Sequence, residues 1–264
     1  PFIYRGEIIT EQVYNTIFID LKKHFDRNIP RSGFEEVIKS SYIQTYHPIK
    51  EFISRYEDRH PVGTFVQWLD CVVLKNPMIE KETVLHFIKK WYCGMIAQCL
   101  DGKYPNEFFL ALLSQKQGIG KTTLLRKYIL PEELQCYQAE HSLSFTDDFK
   151  VLMGQSILII DDELDGRSFE MSQSFKNILS TRDNTTRRKY DRRISSIKRR
   201  ASFAGSGNSL KVVRERGERR IIPLEVEKIH HEKLNDVSLT DLFIEAYHLY
   251  MNGFQYSFQS EDKA

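Results

Sequence analysis

Ten residues constrain this chain more than any other stretch: Ser114-Gln115-Lys116-Gln117-Gly118-Ile119-Gly120-Lys121-Thr122-Thr123. An apolar run, Phe108-Phe109-Leu110-Ala111-Leu112-Leu113, precedes them, and a helix-like stretch from Leu124 to Leu130 follows. An uninterrupted apolar run of this length suits a strand covered on both faces. Strand, glycine-rich turn ending Gly-Lys-Thr, then helix is the setting in which backbone N–H groups converge on phosphate oxygens. The positive end of the helix dipole adds to the attraction. This reading assigns Gln117, Gly118, Ile119, Gly120, Lys121, Thr122 and Thr123 to a nucleoside triphosphate. Lys121 reaches the outer phosphates and the Thr122 hydroxyl serves Mg2+. The full pattern has glycine where this chain has Gln115, while Gly118-x-Gly120-Lys121-Thr122 is intact. A plain glycine-rich turn with a surface lysine is the alternative.

A phosphate loop needs carboxylates nearby, and a second buried strand supplies them. Ser156-Ile157-Leu158-Ile159-Ile160 runs into Asp161-Asp162-Glu163-Leu164-Asp165. Residues just past the C-terminal end of a parallel strand face the ligand crevice. Asp162 is assigned to the metal, with Asp161 as the alternative, and Glu163 is the general base that orients an attacking water. A third strand, Ala201–Ala204, leads into Gly205-Ser206-Gly207-Asn208, where the Asn208 amide can meet a γ-phosphate or the attacking water. A fourth, Arg220–Val226, is preceded by Arg214-Glu215-Arg216-Gly217-Glu218-Arg219. Arg219 or Arg220 is the guanidinium offered to a neighbouring subunit's γ-phosphate. Successive strand residues point to opposite faces, so one of the two serves.

Charge is distributed unevenly. Residues 182–200 carry nine basic and two acidic side chains, so the rest of the chain sums to −5 against a total of +2. The candidate nucleic-acid contacts are Arg187, Arg188, Lys189, Tyr190, Arg192, Arg193, Lys198, Arg199 and Arg200. The basic groups would meet phosphates in a salt-sensitive manner, and Tyr190 would stack on a base. The segment reads as a hairpin with basic arms or a loop with basic ends. The four cysteines, Cys71, Cys93, Cys99 and Cys136, lack zinc-site spacing and read as reduced core thiols. No apolar stretch is long enough to span a membrane, and a cytoplasmic location is expected.

Strands alternating with helices from residue 104 onward imply a parallel α/β sheet. The expected organisation is a helical segment over 1–103, an ATPase core over 104–226 with a basic insertion at 182–200, and a helical extension over 227–264. Before the core, helices are expected at Glu11–Phe25, Phe34–Tyr42, Ile49–Tyr56, Thr64–Leu74 and Glu82–Leu100.

The order of these motifs resembles the virulence-associated E family, helicase-like ATPases of phages, plasmids and other mobile elements. The matching residues are Gln117-Gly118-Ile119-Gly120-Lys121-Thr122, Asp162-Glu163-Leu164-Asp165 and Phe175-Lys176-Asn177-Ile178-Leu179-Ser180. They continue with Arg188-Lys189-Tyr190-Asp191-Arg192, Arg200-Ala201-Ser202-Phe203 with Gly207-Asn208, and Gly217-Glu218-Arg219-Arg220. Tyr247-His248-Leu249-Tyr250 with Gly253 resembles the family's closing helix. The resemblance implies an AAA-type P-loop core related to superfamily three helicases, using ATP and Mg2+. It implies a homo-oligomeric ring, with a hexamer favoured, and a fused or partner primase domain. Asn208 becomes the sensor and Arg219 or Arg220 the finger. The basic insertion falls where related helicases place a DNA-contacting loop. Ser206 stands where a threonine is common. The function expected is an ATP-driven, DNA-binding motor of mobile-element replication. The alternatives are a signalling or defence ATPase that switches without unwinding, and, more distantly, a P-loop kinase.

Overall fold

The computed structural model describes residues 3–4, 7–8, 11–25, 28–38, 40, 46–76, 80–101, 104–144, 146–162, 164, 169–186, 195–208 and 220–258. Contacts divide the chain into two units, Pro1–Glu51 and Phe52–Ala264. The first holds an antiparallel pair, β1 (Ile3–Tyr4) and β2 (Glu7–Ile8), then helices α1 (Glu11–Phe25) and α2 (Arg31–Ile38). Tyr14 and Phe18 of α1 each lie about 5 Å from the Phe34 ring, at 5.1 and 5.2 Å. Helix α3 (Pro48–Tyr56) follows.

The larger unit is built on a six-stranded sheet. Its elements are α4 (Thr64–Asp70), β3 (Val72–Leu74), α5 (Lys81–Leu100), β4 (Phe109–Leu113), α6 (Lys121–Lys127), β5 (Gln138–Glu140) and α7 (Asp147–Gln155). They continue with β6 (Leu158–Asp161), α8 (Phe169–Ser180), β7 (Asp183–Thr186), β8 (Ser195–Lys198), β9 (Ser202–Gly207) and β10 (Ile221–Ile229). Two helices close the unit, α9 (His231–Leu234) and α10 (Leu239–Met251). The strand order is β3-β10-β4-β9-β6-β5. All neighbours are parallel except β3, which runs antiparallel to β10.

The contact boundary falls at 51/52, and residues 52–103 share a unit with the sheet. The expected helix Thr64–Leu74 is corrected: it ends at Asp70, and Val72-Val73-Leu74 form the edge strand. Two β-branched residues favour the extended state, and pairing with Val226–Ile229 of β10 satisfies their backbone. The basic segment is flanked by an antiparallel pair, β7 with β8.

Apolar periodicity explains the layers. All five residues of β4 are buried, as both faces of a central parallel strand must be. On one face Phe109, Ala111, Ile159 and Phe203 join Phe149, Met153, Phe175 and Ile178 of α7 and α8 in one core. Helix α5 is buried over most of its circumference, and its Trp91 indole N–H donates to Phe203 O at 3.0 Å. Helix ends are closed by side chains. Thr146 accepts from Phe149 N at α7, and Ser238 accepts from Asp241 N at α10. Glu245 of α10 accepts from Gly63 N and Thr64 N at 3.3 and 2.7 Å, capping α4 from a distance of 181–182 residues in sequence.

Candidate nucleotide site

Strand β4 lies between β10 and β9, and its C-terminal end opens into the glycine-rich turn. Ser114 N donates to Gly207 O at 3.1 Å, so the turn starts level with the end of β9. Gly118 and Gly120 have φ of 73° and 88°, in the left-handed region that glycine enters without strain. Residues 115–118 are exposed, then α6 begins at Lys121. Lys121 is buried, and its Nζ donates to Ser114 O at 3.2 Å and Lys116 O at 3.5 Å. The ammonium is thus held inside the turn by carbonyl oxygens of the turn itself.

Across the crevice, β6 resolves the two neighbouring aspartates. Thr122 Oγ1 donates to Asp162 Oδ1 at 2.6 Å, and Ser206 Oγ donates to the same oxygen at 2.7 Å. Asp161 is almost fully buried, and its Oδ2 accepts from Leu143 N at 3.3 Å. Alternation along a strand sends adjacent carboxylates in different directions. Asp162 therefore joins Thr122, whereas Asp161 supports the loop after β5. Ser206 was recognised in the sequence only as a departure from threonine. Its hydroxyl holds Asp162 from β9. Asn208 is exposed one residue past β9, at the same end of the sheet.

The donor set fits a hard divalent cation. Oxygen ligands from hydroxyl and carboxylate, with remaining positions left to water and phosphate, are the surroundings Mg2+ takes. Among the described residues no group of three or more His, Cys, Asp and Glu side chains gathers as a metal cage. A metal at this place would draw on Thr122 and Asp162 together with oxygens from a bound ligand or water. Glu163 lies outside the described residues.

One further residue at the turn had no signal in the sequence. His231, the first residue of α9, lies with Nε2 3.4 Å from Ile119 O. It sits far along the chain, and only the return of β10 beside β4 brings it to the turn.

The arginines divide. Arg220 precedes β10, and its carbonyl accepts from Phe109 N at the start of β4. It is therefore at the opposite sheet end from Ser114, about 16 Å away at roughly 3.3 Å per strand residue. Its guanidinium lies 3.4 Å from Glu107 Oε2 and 3.4 Å from Lys176 O of the same chain. Arg219 lies outside the described residues.

Of the nine basic-segment residues, Arg187, Arg188, Lys189, Tyr190, Arg192 and Arg193 also lie outside them. Lys198 is exposed at the end of β8 and Arg200 is partly buried. Arg199 requires a correction, since it is 0% exposed. It donates to Ile178 O, Leu179 O, Asn106 O and Gln98 Oε1 at 2.6, 2.8, 2.7 and 3.1 Å. Burial pushes its guanidinium down to about 9, opposed by Glu107 and Cys99. A side chain enclosed in this way ties the end of α8 to α5 and offers nothing to a nucleic acid. The run Lys198-Arg199-Arg200 looks uniform in composition, yet its middle member faces the core.

Parallel strands with a glycine turn at the C-terminal end of a middle strand, and a carboxylate facing that turn from a neighbouring strand, define a P-loop-type α/β domain. The chain belongs to the Virulence-associated protein E-like domain family, whose model matches residues 66–264. No curated protein matches the sequence. Among solved structures, an apo form of the NrS-1 C terminal region is similar with a TM-score of 0.45 at 12% identity. That match covers 76% of this chain and 45% of the other. An inhibitor-bound JCV helicase gives a TM-score of 0.38 at 10% identity, covering 96% of this chain and 69% of that one. The chain spans about half the length of the NrS-1 chains it matches, 45–50%.

Proposed function

We propose that this domain is an ATP-hydrolysing, DNA-binding, helicase-like motor of mobile-element replication. The observation that carries the reading is the meeting of Thr122, Ser206 and Asp162 Oδ1 beside a turn that already holds Lys121. Backbone N–H groups from Gln117 to Thr123 would bind the phosphates. Lys121 would exchange its two carbonyl partners for the outer phosphates. Thr122 and Asp162 would hold Mg2+, which when bound neutralises charge on the β- and γ-phosphates. Ser206 keeps Asp162 aimed at Thr122. Glu163 orients the attacking water and accepts its proton, and Asn208 positions that water or the γ-phosphate.

The arginine that completes the site is assigned to Arg219 of a neighbouring copy in a ring, hexameric by preference. Arg220 already has partners on its own chain. DNA binding is assigned to Arg187, Arg188, Lys189, Tyr190, Arg192 and Arg193, between β7 and β8 in sequence, together with Lys198 and Arg200. The β7–β8 pair is anchored because Arg200 N and Ala201 N both donate to Met153 O, at 2.8 and 3.0 Å. A primase domain, fused or separate, is the expected partner.

The test is ATP turnover with and without single-stranded DNA at low salt, together with unwinding of a forked duplex. Stimulation by DNA and unwinding are expected. Turnover with no DNA effect would instead favour an assembly switch of the signalling or defence kind. Glu163→Gln is expected to retain ATP binding and lose hydrolysis; free turnover by this variant would remove Glu163 as the base.

A further inference from the structure

The phosphate turn is gripped from outside by the corner where β10 meets α9. We infer that His231 is a positioning residue for nucleotide binding, acting through the backbone of Ile119–Gly120; this rests on the nucleotide reading above. Three observations support it. His231 Nε2 lies 3.4 Å from Ile119 O, with the tautomer that carries its proton on Nε2 making the bond. The ring also fills the space over Gly120, since a Cβ there would come 1.9 Å from Nε2. Finally, the ring is itself held in place. Its centroid is 5.9 Å from that of Tyr128, whose hydroxyl donates to Asn235 Oδ1 at 2.8 Å just past α9.

His231 Nδ1 is buried and meets no hydrogen-bond partner among the described residues. A core-filling apolar residue would avoid that orphan. Retaining an imidazole here makes sense if its other nitrogen is needed at Ile119 O. The need is evident in the turn. Two glycines in left-handed conformations flank Ile119, and the preceding four residues are exposed. Backbone of this kind has many alternatives when empty, and only one of them points its N–H groups inward. Fixing the Ile119 carbonyl outward turns the Gly120 amide, the other half of the same planar peptide unit, toward the phosphates. A second contact from the same corner, Lys116 Nζ to Glu227 Oε1 at 3.6 Å, is solvent-exposed and contributes little alone.

The experiment compares His231→Ala, His231→Gln and His231→Phe by equilibrium binding of a non-hydrolysable ATP analogue, by KM and kcat for ATP, and by melting temperature. Loss of one hydrogen bond should weaken binding by up to about tenfold. His231→Ala is expected to raise Kd and KM by that factor with kcat nearly unchanged, because the interaction serves ground state and transition state alike. His231→Gln, which restores an N–H donor, should recover most of the affinity. His231→Phe, which restores only the ring, should not. Unchanged affinity in His231→Ala overturns the inference, and so does full recovery in His231→Phe. If His231→Ala melts too low to assay, the Gln and Phe variants still decide it. Wild-type protein that binds no analogue, matching Lys121→Ala, would instead remove the nucleotide reading itself.

Discussion

Two buried cations are held in different ways in this domain. Lys121 and Arg199 both donate to main-chain carbonyls and both are largely hidden from water. Lys121 takes its partners from the turn that surrounds it, next to exposed residues 115–118. Of the two carbonyls, that of Lys116 belongs to an exposed residue and can return to water if the ammonium is displaced, whereas Ser114 is buried. Arg199 takes its partners from α5, α8 and the stretch before β4, all inside the core, where no water waits. Burial of a charge therefore says little about function. What matters is whether the partners can be released at low cost.

Substitutions can break or sharpen this contrast. Lys121→Ala should lower ATP turnover by about 10²–10³-fold, the scale for removing one charge-stabilising donor, while leaving the melting temperature nearly unchanged. A large fall in melting temperature would show that Lys121 is structural, and the contrast would fail. Arg199→Ala should do the reverse. Leaving its buried acceptors unpaired costs about 3 kcal/mol, or about 6–12 °C in a unit of this size. DNA affinity, measured below the transition, should hold. Ser206→Ala sharpens the picture on the Lys121 side. It should cut turnover by about tenfold through a misaimed Asp162, matching a hydrogen bond to a charged group, and Ser206→Thr should restore it. The smallest effect is expected from Thr146→Ala at the N-terminus of α7, about 1 kcal/mol of stability with turnover intact.

The same contrast explains what was legible in the sequence. The turn 114–123 is a contiguous motif, so its chemistry can be read without knowing the fold. The strands β4 and β6 were visible as apolar runs, and Asn208 could be placed by its strand. Which of Asp161 and Asp162 faces Thr122 depends on the phase of β6 relative to its neighbours, which composition does not carry. Arg199 was misread because eight other members of its run are polar or outward candidates, and one residue of phase reverses the side it faces. The burial of Gln98 and Asn106, whose side-chain and backbone oxygens respectively receive the Arg199 guanidinium, is a fact of the fold that no local pattern announces. His231 and Glu245 act across more than 100 residues of chain, so nothing local announces them. The edge strand β3 was hidden because Cys71-Val72-Val73-Leu74 extends a helical pattern without a break.

The cap that Glu245 places on α4 sets a rule for dissecting the gene product. A fragment ending after α9 would keep every nucleotide-site side chain named above. It would also strip the acceptors from Gly63 N and Thr64 N and take away Phe243, which packs edge-on against Phe52 at 5.5 Å. Such a fragment should be recovered insoluble, whereas one ending after Met251 should retain the helix and the cap. Helix α10 thus makes the closing of α4 depend on a segment synthesised after every strand of the sheet.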